Sequence, residues 1–158
     1  MMMIEALMAI LIFSLGILGM VGVNALAVSS QSDAQYRTDA NEYANQIISQ
    51  IWINAVRVTD PVTKAPTVTP ASLDAFNHQG TTNANCTFSG AAATNPLVAP
   101  WVASVTAAGS GLPGATAAMV QILVENTATQ GNDVTVTICW KAPGDAVARK
   151  HVMKSVIH

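Results

Sequence analysis

Few side chains able to do chemistry occur in this 158-residue chain, and they stand apart from one another. His78, His151 and His158 are isolated, so each reads as an ordinary surface or strand histidine. Cys86 and Cys139 are the only cysteines and form no Cys-x-x-Cys pair. Two thiols without neighbouring histidines do not supply the ligand spacing a zinc site needs. Asp133 and Asp145 fall among turn residues, where Asp is favoured for backbone geometry alone. No Gly-rich phosphate loop, zinc-binding helix or EF-hand loop occurs. The pattern therefore points away from an enzyme and implies no cofactor and no metal.

Glu5 is the exception. It is the only carboxylate before Asp33 and stands at the start of a charge-free run, Ala6 to Val28. As a helix that run is about 35 Å long, enough for a hydrocarbon core of about 30 Å. A cleavable signal peptide has a shorter apolar stretch, of about 7–15 residues, and is preceded by basic residues. Here no Lys or Arg precedes the run, and it continues into a second helical pattern. A charge at the centre of a membrane helix costs on the order of 2.5–3.5 kcal/mol, and less near the interface. The plain reading places Glu5 at headgroup depth, favoured by the helix dipole. The functional reading has Glu5 paired with a cation from elsewhere, and a free N-terminal ammonium is the nearest candidate in kind.

Composition agrees with an apolar appendage. Only 10% of residues are charged and 51% are hydrophobic, against about a quarter charged in an average soluble domain. The excess is concentrated at the N-terminal end. The net charge is −2, and the seven Lys and Arg are scattered without aromatic interleaving. Nucleic-acid binding thus has no footprint.

The elements that position these residues follow from periodicity. After Ser29 the pattern turns amphipathic: Tyr36, Ala40, Tyr43, Ala44, Ile47, Ile48, Ile51, Trp52 and Ala55 recur at three- and four-residue steps. One helix is expected from near Met1 to about Val56, apolar all round in residues 1–28 and on one stripe in residues 29–56. The heptads last too briefly for a coiled coil. Residues 57–158 would form a globular head. Prolines at 61, 66, 70, 96 and 100 predict loops over much of its first half, with a helical turn at Ser72–Phe76 and a first strand at Trp101–Thr106. Val120, Ile122 and Val124, then Val134, Val136, Ile138 and Trp140, alternate with Gln121 and Glu125 and with Thr135, Thr137 and Cys139. Asn126 to Asn132 would turn the first strand into the second, and Ala148 to Ile157 would return after the Lys141–Asp145 turn. An antiparallel meander of three or four strands on the amphipathic half of the helix is the expected α+β fold.

Met3-Ile4-Glu5-Ala6-Leu7-Met8-Ala9-Ile10-Leu11-Ile12-Phe13-Ser14 resembles the start of a mature type IV pilin or pseudopilin. In that family a prepilin peptidase removes a short leader and leaves an N-methylated residue, with the glutamate fifth. The resemblance implies the type IV pilin fold, a long helix on a small antiparallel sheet. It also implies that Glu5 pairs with the amine of a neighbouring subunit at Met1, neutralising two groups costly in an apolar filament core. Met1 stands where Phe is usual, and Gly22 where many major pilins carry a helix-kinking proline. Gly16, Gly19 and Gly22 recur every three residues, and either close helix packing or a loosened helix accounts for them. Ser14-Leu15-Gly16-Ile17-Leu18-Gly19-Met20 and Val134-Thr135-Val136-Thr137-Ile138-Cys139-Trp140 are similar to segments of PilV-type minor pilins.

In an exported head Cys86 and Cys139 would form one disulfide, and buried free thiols are the alternative. The resemblance implies a minor pilin that primes a type IV pilus or sits in its tip. Its partners would be other pilin and minor pilin subunits, the prepilin peptidase and the bacterial inner membrane. The head would be periplasmic first and later part of an extracellular pilus. A type II secretion pseudopilin, a major pilin and a single-span membrane protein with a binding head are the alternatives.

Overall fold

A computed structural model describes residues 2–62, 64–81, 85–127 and 131–158. The expected first helix is α1, Met2–Asn54. Backbone contacts divide the chain into two units, one reaching to Arg37 and the other Thr38–His158.

In the first unit the side chains from Met3 to Gln31 are exposed all around the helix. Phe13 is 70% exposed and Leu18 69%. A helix apolar on every side cannot bury itself against a single neighbour, so its surroundings must be apolar. It is long and apolar enough to cross a membrane.

In the second unit the helix is amphipathic in effect. Ala40, Ala44, Ile47 and Ile51 are fully buried, at spacings of three and four. Trp52, expected on this stripe, instead lies at its margin, 36% exposed. Its indole Nε1 donates to Ser155 Oγ at 3.1 Å. An indole keeps its N–H at a polar partner, so the ring packs while its edge stays wet.

Two short strands pair where a loop was expected. β1 (Arg57–Thr59) pairs antiparallel with β2 (Pro66–Val68), Val58 opposite Thr67. Asp60 makes the turn, its Oδ1 accepting the Val62 N–H at 2.7 Å and its carbonyl the Lys64 N–H at 3.0 Å. Pro66 is tolerated because it opens a two-stranded ribbon rather than sitting in a sheet interior. The expected helical turn is α2, Pro70–Asp74, which buries Leu73.

The expected strand at Trp101–Thr106 is a helix, α3, Val98–Val105. Val98, Trp101, Val102 and Val105 are buried and follow helical rather than strand spacing. Pro100 lies within the first turn, where a missing N–H loses no helical bond. Trp101 Nε1 donates to the Tyr43 carbonyl at 2.9 Å and ties α3 to α1.

A three-stranded antiparallel sheet completes the head, in the order β3 (Val120–Thr127), β4 (Gly131–Trp140), β5 (Arg149–Ile157). The β3–β4 link contains residues 128–130, which lie outside the described residues. The register puts Ile122 opposite Val136 and Val136 opposite Met153. The inner face therefore carries Val120, Ile122, Val124, Val134, Val136, Ile138 and Trp140, all buried. Gly131 adopts a left-handed φ of 99°, and a Cβ there would meet the His158 ring at 2.7 Å. Only glycine meets both demands. The molecule is thus mixed α+β, a long N-terminal helix with a small antiparallel sheet.

Candidate assembly site and the disulfide-tied flap

Glu5 lies in the first turn of α1 with its carboxylate exposed. A carboxylate there is favoured by the helix dipole, by about 0.3–1 kcal/mol at an exposed site. It has no ion-pair or hydrogen-bond partner among the described residues, and the first Lys or Arg of the chain is Arg37. Met1, the expected pairing partner in a neighbouring subunit, lies outside the described residues. Gly16, Gly19 and Gly22 face open space: a Cβ at any of them meets nothing within 4 Å. Ser14 Oγ donates back to the Ile10 carbonyl at 2.7 Å, which hides a hydroxyl within an otherwise apolar surface.

The second feature is a flap on the outer face of the sheet. Cys86 and Cys139 are joined by a disulfide across 53 positions of sequence. Strand alternation alone puts Cys139 with the polar Thr135 and Thr137, yet it is fully buried. The reason is that Cys86 and Phe88 cover it, with Met119 and Ala148 packed alongside. Phe88 N–H also donates to the Ala118 carbonyl at 2.7 Å. This second small core was not legible in the sequence, since Phe88 stands in a stretch with no periodicity.

His78 holds the near end of the flap. It exchanges two backbone bonds with Ile122, at 2.9 and 3.0 Å, adding a bridge to the free edge of β3. Its Nδ1 accepts the Ala93 N–H at 3.3 Å, so the proton of the neutral ring belongs on Nε2. Burial pushes the His78 pKa below its ordinary 6.5. The expectation of an ordinary surface or strand histidine is thus corrected to a buried bridging one. Gln121 Nε2 donates to the Gln79 carbonyl at 2.8 Å and fixes the same corner.

Just past the C-terminal end of β4, Asp145 receives a two-pronged bond from Arg149, both contacts at 2.9 Å, and the Ala142 N–H at 3.2 Å. The Arg149 hydrogen bond holds the Asp145 carboxyl below its ordinary value. This carboxylate shapes the turn into β5. A depression of about 330 Å³ between α2 and the flap contains one carboxylate, Asp74. That group already accepts from Asn126 Nδ2 at 2.9 Å. No group of three or more metal-ligating side chains comes together among the described residues. No nucleophile stands beside a base in these contacts among the described residues. No family model, no curated protein and no solved structure matches this chain.

Proposed function

We propose that the chain is a filament subunit of the type IV pilin-like kind, a minor pilin that primes assembly or occupies the tip. One observation carries this reading. Glu5 opens an all-round apolar helix, with no cation among the described residues to pair with it. The same α1 continues into the stripe buried in the disulfide-tied head. A single-span anchor needs no carboxylate at that place, whereas a subunit entering an apolar bundle gains from a group that must be neutralised by a neighbour. The pilin resemblance assigns that neighbour's cation to its N-terminal amine. The three glycines, open to space on α1, suit close helix approach within such a bundle.

In this reading the inner membrane holds the apolar half of α1 before assembly, and the head projects into the periplasm. The test is Glu5→Ala in the full chain, with sheared filaments probed for the protein. Incorporation should fall at least about tenfold, as expected for leaving a buried cation unpaired at a cost of about 3–5 kcal/mol. Normal incorporation of the variant would sink the reading. Deletion separates two kinds of filament: a pilus subunit leaves cells without surface fibres, a secretion pseudopilin without exported enzymes.

A further inference from the structure

The two faces of the sheet are enclosed in different ways. The inner face is apolar by sequence, and Val134, Val136 and Ile138 are fully buried there. The outer face is largely polar by sequence: Gln121 stands opposite Thr137, and Glu125 opposite Asp133. Glu125 and Asp133 are exposed, so that end of the face already stands in water. Gln121 and Thr137 are buried, at 2% and 7% exposure, towards the end where the flap lies. Both side chains can hydrogen-bond to water, so uncovering them strands no polar group. The outer cluster of Cys86, Phe88 and Cys139 shares no residue with the inner one.

The flap is a lobe with a fixed base and a lightly held tip. At the base His78 exchanges its backbone bonds with Ile122, and the Ala93 N–H reaches His78 Nδ1. The Asn95 N–H donates to the Ala75 carbonyl at 2.9 Å, which ties the returning arm to the end of α2. The arms pair with each other, the Gln79 N–H donating to the Ala91 carbonyl at 3.0 Å and the Thr81 N–H to the Ser89 carbonyl at 2.9 Å. The tip carries Cys86 and Phe88. Among the described residues it is held on the sheet side by the Phe88 ring, the Phe88 N–H bond to Ala118 and the disulfide. Cys86 has a left-handed backbone, with φ 57°. A residue with a Cβ adopts that conformation only where its surroundings hold it there.

We propose that the Cys86–Cys139 disulfide is a redox latch: its reduction lets the tip of the flap lift from the outer face while α1 and the sheet stay folded. An external dithiol supplies two electrons and two protons, its own sulfurs join as a disulfide, and Cys86 and Cys139 become thiols. Closure runs the same exchange in reverse with an external disulfide, which an oxidising compartment supplies. Once released, Cys86 leaves the left-handed region, and Phe88 is the one large apolar side chain still holding the tip. The inner cluster keeps its own contacts, so the opening is local rather than global. The latch decides which surface the head offers: a covered face when oxidised, and Gln121, Thr137 and the Cys139 thiol when reduced. It does not depend on Glu5 or on the filament reading.

The test uses the full chain in detergent, reduced with dithiothreitol and then treated with iodoacetamide. Mass spectrometry should find both Cys86 and Cys139 alkylated, as accessible thiolates are. Hydrogen exchange should quicken at least about tenfold at the Phe88 amide and stay slow at residues 44–51 and 134–138. The Cys86→Ser/Cys139→Ser chain, which needs no reductant, should show the same exchange pattern. A Phe88 amide as slow in that chain as in the oxidised one means that the tip is held without the bond, and the latch fails. Exchange that quickens by the same factor in α1 and β4 overturns it as well, because the head then opens as one unit. A bond that dithiothreitol leaves intact in the folded head, or thiols that stay unalkylated after reduction, have the same consequence.

Discussion

The same helix serves two regions that obey different rules. Before Ser29 its apolar side chains point in every direction and stay exposed; after Thr38 they follow a stripe in which Ala40, Ala44, Ile47 and Ile51 are fully buried, while Ile53 beside it stays exposed. Ile12 is 65% exposed and Ile47 is 0%. Residue type is thus a poor guide to energetic role here. Stability of the head comes from enclosed contacts of the second region, while the first region leaves its apolar side chains exposed and gains nothing from their burial.

Three measurements sharpen or break this contrast. The largest effect should come from the disulfide. In the chain-entropy picture, closing the loop between Cys86 and Cys139 contributes about 4 kcal/mol. The Cys86→Ser/Cys139→Ser chain should unfold at markedly lower temperature, followed by near-ultraviolet dichroism in detergent. Membrane retention should be unchanged. Loss of retention would show that the two regions are not independent.

A matched pair of truncations comes next. Ile47→Ala should cost about 2–5 kcal/mol of head stability through lost burial and a residual cavity. Ile12→Ala should leave head unfolding where it was, because its side chain is 65% exposed and its loss opens no cavity. Equal effects in denaturant titrations would contradict the division.

The smallest effect is a pH dependence confined to the head. Burial lowers the folded pKa of His78 below 6.5, so on acidification the unfolded chain takes up the proton first. Stability contributed by the neutral ring is present above about 6.5 and lost as pH falls towards the folded value. Protonation at Nδ1 also forfeits the bond from Ala93. His78→Gln should flatten that part of the profile of unfolding temperature against pH. Asp145 acts lower on the scale. Its folded pKa is depressed by Arg149, so its contribution is present above 3.8 and lost as pH falls below it. A wild-type profile flat from pH 7 to 5 would mean that His78 does not anchor the flap as described.

How much was legible depended on range. The charge-free run after Glu5, the stripe from Ala40 to Ile51, the alternation in β3 and β4 and the turn that returns the chain as β5 are local patterns, and each matches an observed element. Trp101 shows where local pattern fails. A short run of valines around an aromatic fits a strand or a buried helix, and only the enclosure of Val98, Trp101, Val102 and Val105 on one side separates the two. The Thr- and Val-containing stretch around Asp60 was obscured in a similar way, because its prolines mark breaks without saying that the flanks pair.

By itself the sequence determined that one end of the chain is a continuous apolar helix opened by a lone carboxylate, and that an antiparallel sheet follows. Both conclusions need only the side-chain period of a helix or strand, which is set by backbone geometry. Tertiary structure alone decided that Cys139 is buried on the outer sheet face and that His78 joins the edge of β3. Each depends on residues distant in sequence meeting in space, and no local spacing encodes such a meeting. Glu5 belongs to the first kind, which is why its isolation could be read before any fold was known.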